Sequence, residues 1–376
     1  MEFALSNDQR MLQEQLDSAL KRLSPLPRVR RHAEQAPDAF ADDLWGGLGD
    51  FGIPGLLVPE AFGGLGLGLL DAAVVAESLG RHVTPTPFLG PVIAGPLAVM
   101  GAGTEAQKRE LLPQIASGDL RVALAPSASL AGAREGEGFV VRDRQLHGTC
   151  RFAIDLAGCD MILVEAQGGD LHLVDRDAPG VVVAPLITVD RTRSAAALTL
   201  DGAASVRLGV CGKTSAKLAS ALQVMLAADL LGAGAHLLET AVAYATVRQQ
   251  FGRPIGSFQA VQHLCADMAA ELEPGRSLVW YAAHALDVDL PDAETSALHA
   301  KAYLAEAGRI ASRNATEVHG GIGITDELGL HYWFKRVTWS GQALGGATRM
   351  RELAAAREWS RPDSASTHGV NAPQRA

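Results

Sequence analysis

The 376-residue chain has little cysteine, and this scarcity narrows the classes of protein to which it can belong. Its four cysteines form no C-x-x-C pair and follow no regular spacing: Cys150, Cys159, Cys211 and Cys265. Disulfide frameworks and zinc sites need cysteines at characteristic spacings, so we expect buried free thiols. Three histidines on predicted helices also lack metal-ligand spacing: His263, His284 and His299. We therefore predict no metal site.

The sequence also lacks the segments that direct a chain to a membrane or to nucleic acid. Residues 1–6 carry neither the basic nor the apolar region of a signal peptide. No uninterrupted apolar run is long enough to span a bilayer. The net charge of −9 argues against general nucleic-acid binding, which needs a basic face, although a local arginine cluster can still bind a phosphate. We expect a cytoplasmic protein without a membrane or nucleic-acid partner.

What the sequence does have is a clear division into helical and strand-like parts. Capping-box sequences open helices at residues 6 and 104, the first ending near 23 and the second near 117. Apolar stretches between them predict helices over 38–51, 69–79 and 91–100. Seven short apolar runs separated by Gly, Asp and Arg turns predict strands at 122–125, 139–141, 145–148, 161–164, 170–174, 181–183 and 197–200.

Long helical sequence returns after the strands, with predicted breaks at 252–256, 273–276, 287–291 and 320–329. The chain is therefore predicted to be mainly α with a central β domain. Its expected parts are an N-terminal helical domain (1–119), a small antiparallel β-barrel or sandwich (120–212), a C-terminal four-helix bundle (213–360) and a polar, disordered tail (361–376).

The most informative stretch reads R-Q-Q-F-G-R-P-I-G-S-F-Q-A-V-Q-H over residues 248–263. Gly252, Pro254 and Gly256 end one long helix and turn the chain into the next. Such a turn presents Arg248 and Arg253, together with backbone N–H groups, to an anion. A short R-x-x-F-G motif alone would equally fit an ordinary turn with two solvated arginines. The whole string is more specific than that motif.

This string closely resembles the flavin-binding turn of the acyl-CoA dehydrogenase family. Three more stretches occur in the family's order: V-P-E-A-F-G-G-L-G at 58–66, E-V-H-G-G-I-G at 317–323, and residues 342–353. The resemblance covers roughly residues 1 to 355 and implies the family's three-domain fold, an FAD cofactor and an acyl-CoA substrate. Family members remove two hydrogens across Cα–Cβ of the thioester, as a carboxylate takes the α-proton and the flavin accepts a hydride.

The resemblance also implies which residues contact FAD. Arg248 and Phe251 match the positions that meet the diphosphate and adenosine, and Gln259 matches a further contact. In the family these residues usually reach the FAD held by a neighbouring subunit. Gly320 and Gly321 match a loop that approaches the cofactor across the same dimer interface, where the absence of a Cβ allows close approach.

Several contact positions depart from the family. Glu317 stands where glutamine is usual, and a carboxylate beside a diphosphate is unfavourable unless it is protonated or turned away. L-A-P-S at 124–127 replaces T-E-P-x-A-G-S, although the N–H groups of Ala125 and Ser127 can still bond to the flavin. R-F-A-I-D at 151–155 replaces K-x-W-I-[TS], so both the aromatic over the flavin and the hydroxyl near N5 are changed. Asp155 would either accept from flavin N5–H or form a strand-end salt bridge.

The largest departure concerns the catalytic base. Most members begin an E-G-T sequence with a glutamate, and alignment places Gly345 there. A minority carry the glutamate early in the long helix, at a place held here by Leu222 and Gln223. Neither place has a carboxylate. Asp229, on the same helix, is the nearest acidic residue and a weak candidate, since a helix aspartate usually serves at the surface or as a cap.

A missing base leaves three readings open. The chain resembles short subunits with G-G in place of E-G, found in bacterial heteromeric enzymes that oxidise bulky acyl-CoAs such as steroid side chains, where a partner chain holds the base. We prefer this reading, with a dimer or tetramer, a second acyl-CoA dehydrogenase-like chain, and an electron-transfer flavoprotein or similar acceptor. The alternatives are a flavin monooxygenase or oxidase on the same fold, and a non-catalytic subunit that stabilises a partner.

Overall fold

A computed structural model describes residues 4–35, 39–126, 136–210 and 212–359. The predicted tail at 361–376, Ser127 and Cys211 lie outside these described residues. The remaining three cysteines are free thiols, two of them buried. The mainly α architecture with a central β sheet confirms the predicted fold class. The domain limits given above stay a prediction.

Six helices build the N-terminal part: α1 (Asn7–Leu23), α2 (Leu26–Gln35), α3 (Asp42–Gly49), α4 (Leu69–Arg81), α5 (Gly95–Ala102) and α6 (Glu105–Ser117). The capping boxes are confirmed. The side chains of Ser6 and Thr104 each accept a hydrogen bond from the N3 backbone N–H, and their own backbone N–H groups donate to the side chain of the N3 glutamine. The helix predicted over 38–51 corresponds to the shorter α3, and the sequence analysis did not predict α2. The predicted helix at 91–100 is a π-helical turn, Leu89–Ala94, that leads into α5.

Eight strands form one sheet: β1 (Val122–Ala125), β2 (Gly138–Arg142), β3 (Gln145–Ile154), β4 (Met161–Glu165), β5 (Asp170–Asp175), β6 (Val181–Pro185), β7 (Ala195–Ala203) and β8 (Val206–Val210). Their order is β6-β7-β3-β1-β4-β5-β8, with β2 paired to β3. All pairs are antiparallel except β1 with β4. All seven predicted runs are strands, and β8 was missed.

Five helices form the C-terminal bundle: α7 (Gly212–Val247), α8 (Gln259–Asp287), α9 (Ala293–His319), α10 (His331–Gln342) and α11 (Ala347–Trp359). Between α7 and α8, two strands of two residues each form a small antiparallel hairpin: β9 (Gln249–Gln250) and β10 (Arg253–Pro254). The break predicted at 273–276 is wrong, because α8 continues through Pro274. Leu272 and Val279, before and after this proline, are both buried, so packing holds the two halves in line.

Helix α7 is the core of the molecule. It is long and apolar enough to cross a membrane by length and composition, contrary to our expectation, but 94% of its most apolar window is buried inside the protein. Such burial is what a core helix of a globular bundle requires. Gly232 of α7 and Gly80 of α4 allow their helices to approach closely: a Cβ at Gly232 would lie 1.8 Å from the Glu77 carbonyl oxygen.

Candidate functional site

A cavity of about 480 Å³ lies where the β sheet meets the C-terminal helices. Strand β3 contributes Cys150 and Phe152 to its wall, and the loop 186–189 between β6 and β7 forms a second side. The third side comes from Trp339 and its neighbours on α10, and from the link 343–345 that follows. Most of these side chains are apolar, and the volume lies within the roughly 300–1,000 Å³ typical of small-molecule sites.

The cavity has an aromatic wall although Ala153 stands where the family has its aromatic residue. The register between β3 and β7 shifts between Cys150 and Ala153, which is a β-bulge. A bulge changes which side chain faces a given side of the sheet. Ala153 is fully buried in the sheet core, and Phe152 lines the cavity with its ring 6.2 Å from that of Trp339. A planar ligand can therefore pack against aromatic side chains here.

Two of the predicted flavin contacts of the β domain, Ala125 and Asp155, lie within the described residues. Ala125 ends β1 and is buried, and the following Pro126 lines the wall. Asp155 is not among the lining residues: its Oδ2 accepts from the N–H groups of Phe88 (3.1 Å) and Gly90 (2.8 Å). Burial raises the pKa of the Asp155 carboxyl, with Arg193 and the backbone donors opposing the shift. Asp155 thus ties β3 to the N-terminal helices, and a contact with flavin N5 stays a prediction.

Gly345, which the family resemblance aligns with the usual catalytic glutamate, lies in the cavity wall and has a backbone suited to glycine. Its φ is +110°, and the preceding Leu344 is also left-handed with φ +57°. A Cβ on Gly345 would lie 2.6 Å from Met350 Cε and 2.9 Å from Arg349 Cδ. An L-residue is therefore strained at this position by its backbone, and its side chain would have to displace the flexible ends of Met350 and Arg349.

Asp229 is held in a buried ionic network. Its Oδ1 accepts from Arg193 Nη2 (2.8 Å) and Arg336 Nη1 (3.0 Å), and its Oδ2 accepts from Ser340 Oγ (2.6 Å). Burial disfavours the charged form, but the guanidinium groups of Arg336 and Arg193 outweigh it and lower the pKa of Asp229. The carboxylate neither lines the cavity nor is poised to accept a proton there. The other place considered for a base holds the buried Leu222 and Gln223.

The remaining predicted contacts gather on a different, exposed face. The ring of Tyr244 near the end of α7 stacks on His319 at the end of α9, with centroids 4.6 Å apart. This stack brings the 248–258 turn close to the loop after α9. We call the exposed residues of these two segments the turn face: Arg248, Phe251, Gln259, Gly320 and Gly321. None of them lines the cavity of the same chain.

Phe251 is the most conspicuous member of the turn face. Its side chain is 92% exposed and its φ is +53°, which is costly for an aromatic residue. The hairpin that carries it is closed by Ile255 N–H, which donates to the Arg248 carbonyl (2.8 Å). An exposed aromatic held in a strained turn indicates a binding surface. Glu317 nearby lies 3.8 Å from Arg313 Nε.

Some cavity residues carried no recognisable signal in the sequence. Glu137 at the start of β2 lines the wall, and its Oε1 accepts from the Arg151 N–H (2.9 Å) and lies 3.8 Å from Arg151 Nε. Thr338 and Gln342 line the wall from α10. Glu137 and Thr338 follow no motif, and although Gln342 begins the matched stretch 342–353, only the folded geometry identifies it as a cavity residue. Over the described ranges no group of three or more His, Cys, Asp or Glu is placed to hold a metal.

Two family models match the chain. "Acyl-CoA dehydrogenase, N-terminal domain" matches residues 6–119, and "Acyl-CoA dehydrogenase, C-terminal domain" matches residues 220–359. The acyl-CoA dehydrogenase IpdE2 of Mycolicibacterium smegmatis is 32% identical over 342 residues, which are 91% of this chain and 96% of that protein.

Two solved structures are similar over nearly the whole chain. The steroid ACAD Tcur3481–Tcur3483, determined as a point variant, is 31% identical with a TM-score of 0.86, covering 94% of this chain and 99% of that one. The ChsE4–ChsE5 complex of Mycobacterium tuberculosis is 27% identical with a TM-score of 0.87, covering 96% of this chain and 100% of that one.

Proposed function

The chain belongs to the acyl-CoA dehydrogenase family, and we propose that within it this protein is an FAD-carrying subunit that obtains its catalytic base from another chain. It is an oxidoreductase of the acyl-CoA dehydrogenase type. FAD is the cofactor of this family, so the predicted cofactor is confirmed. The contacts of individual residues with FAD, the second chain that supplies the base and the substrate class are our proposal.

The residues present fit a flavin. Phe152 and Trp339 offer aromatic walls to a planar ring, and the cavity of about 480 Å³ has room for one. The backbone N–H of Ala125, at the end of β1, is proposed to donate to the ring. When bound, FAD supplies the hydride acceptor of the reaction. The chain's own task is to hold this ring, exclude water and orient the thioester in front of it.

The proposal of a missing base rests on the alignment of Gly345 with the glutamate that begins the family's E-G-T sequence. The +110° φ at Gly345 disfavours any L-residue there, and a side chain would also have to displace the ends of Met350 and Arg349. Asp229 is fully engaged by Arg193, Arg336 and Ser340. Removal of the α-proton needs a base within hydrogen-bond reach of it. We infer that a neighbouring chain supplies this base.

The turn face also supports the proposal that a neighbouring chain takes part. Arg248 and Phe251 are exposed and do not line their own cavity, so we propose that they contact FAD bound in another subunit. Arginine and backbone N–H groups at a turn suit a diphosphate. The ChsE4–ChsE5 and Tcur3481–Tcur3483 structures are heteromeric complexes of related chains. We propose that this chain pairs with a second acyl-CoA dehydrogenase-type chain in a dimer or tetramer.

The substrate is proposed to be an acyl-CoA with a bulky acyl group, of the steroid side-chain class. The similarity to the steroid ACAD Tcur3481–Tcur3483, at 31% identity, supports this class. An electron-transfer flavoprotein or a similar carrier in the cytoplasm is proposed to reoxidise the flavin.

Anaerobic flavin bleaching tests the proposed function. The purified chain is examined for its visible flavin spectrum, alone and with a second chain that carries the E-G-T glutamate, and is then mixed with short, long and steroid-type acyl-CoAs. We expect bleaching only with both chains present. Full bleaching of the lone chain would overturn the proposal, and loss of that bleaching in Glu137→Gln would identify Glu137 as an internal base. In a separate aerobic assay, oxygen consumption with an added reductant but without acyl-CoA oxidation would indicate a monooxygenase or oxidase.

A further inference from the structure

Five charged side chains lie buried together behind the cavity, and we call them the ion cluster: Asp190, Arg193, Asp229, Lys301 and Arg336. Each is at most 5% exposed. They come from the β6–β7 loop, α7, α9 and α10. Buried charges are costly unless each is paired and hydrogen-bonded, and a hydrophobic set of similar volume is often at least as stable. Stability alone therefore does not explain the cluster.

Arg336 is the centre of this cluster and joins all three parts of the chain. Its Nε donates to Asp190 Oδ2 (2.6 Å) and its Nη1 to Asp229 Oδ1 (3.0 Å). Its Nη2 donates to the Thr84 carbonyl (3.2 Å) and to Thr192 Oγ1 (2.5 Å). These acceptors lie after α4, in the β6–β7 loop and on α7. A planar guanidinium with four fixed acceptors specifies the relative position of the elements that carry them.

Two walls of the cavity continue directly from this network. The loop 186–189 runs into Asp190, and Thr188 Oγ1 donates to the Asp190 carbonyl (2.8 Å). On α10, Arg336 of the ion cluster and Ser340, which donates to Asp229, alternate along the helix with residues that line the cavity, of which Trp339 is one. A shift of Arg336 would therefore move both walls.

We propose that Arg336 is a positioning residue for the ligand in the cavity, because it holds the loop 186–189 and α10 at a fixed separation. The identification of the ligand as the flavin ring rests on the proposed function, whereas the positioning of the two walls does not. Arg193 adds to the arrangement, since its guanidinium carbon lies 5.8 Å from the ring centre of Trp339. The cluster acts through the walls and does not itself touch the ligand.

Amide hydrogen exchange and FAD titration of the full chain test this role. The double variant Asp190→Asn/Arg336→Met removes one buried pair without leaving an unbalanced charge, and Thr192→Val is a milder single change. We expect amide exchange over 186–195, where Leu186 N–H donates to the Ala195 carbonyl, to rise about tenfold in the double variant. The dissociation constant of FAD is expected to rise about tenfold.

The matched control is Glu77→Gln/Arg276→Met. This pair joins α4 to α8 through Arg276 Nη1 and Glu77 Oε1 (2.5 Å), Glu77 is buried, and neither residue lines the cavity. It is expected to lower thermal stability and to leave exchange over 186–195 and FAD affinity unchanged. Equal changes in both double variants, or none in either, would overturn the proposal. If the wild type binds no FAD even together with the second chain, the proposed function fails, and the exchange comparison still decides the role of Arg336.

Discussion

The substitution Lys301→Met is expected to change how the stability of the protein depends on pH. Lys301 on α9 is fully buried, and its ammonium donates to the Ser340 carbonyl. Burial lowers the pKa of Lys301 from 10.5 to about 7, while Asp229 opposes the shift. Between these two values the unfolded chain keeps a proton that the folded chain has released, so this group makes stability rise with pH. This gain in unfolding free energy is complete above the pKa that Lys301 has in the unfolded chain, and it is lost as pH falls to about 7.

From pH 6 to pH 9 the wild type should gain roughly 2 to 3 kcal/mol of unfolding free energy relative to Lys301→Met, because each pKa unit corresponds to about 1.4 kcal/mol. Urea unfolding of both proteins at the two pH values measures this difference. Lys217→Met is the control, because Lys217 bonds to Asp289 at the surface with its side chain 40% exposed. Parallel pH curves for the wild type and Lys301→Met would refute the assignment of a suppressed ammonium.

Three further predictions follow from the close contacts and from the turn face. Gly232→Ala is expected to destabilise the protein by about 3 kcal/mol or more in urea unfolding, because its Cβ would strike the Glu77 carbonyl, whereas Gly46→Ala, with open space, should cost less than about 0.5 kcal/mol. Gly345→Glu should lower stability and still give no bleaching by acyl-CoA in the lone chain, and restored bleaching would contradict the geometry at this position. Phe251→Ser should leave the stability of the lone chain unchanged within about 0.5 kcal/mol, yet weaken assembly in sedimentation experiments. Unchanged assembly would count against the turn face as an interface.

The parts of the fold that could be predicted are those set by local signals. The capping boxes at Ser6 and Thr104 fix helix starts through contacts three residues apart, and both are present. Pro274 was misread because a proline is unfavourable within a helix, whereas packing on both sides of it overrides the local preference. Strand β8 was missed because its short sequence is recognisable only beside its partner β5.

The site was predicted less completely because its geometry depends on non-local contacts. The exposed turn face followed from two contiguous strings, one around Arg248 and the other around Gly320. By contrast, Arg193 and Arg336, which bind Asp229, lie 36 and 107 residues away from it along the chain. No local pattern therefore reveals that the charge of this carboxylate is balanced by two guanidinium groups. The bulge in β3 likewise decides that Phe152, and not the residue at position 153, faces the cavity.

The origin of the catalytic base is tested most directly by rapid anaerobic flavin reduction in the reconstituted complex of this chain with a second, glutamate-bearing chain. One complex carries a Glu→Gln change at the E-G-T of the second chain, and the other carries Glu137→Gln in this chain. We expect the first change to slow reduction by about a thousandfold or more and the second to leave it within about threefold of the wild type. Loss of reduction through Glu137→Gln, with the second chain's glutamate dispensable, would contradict the account.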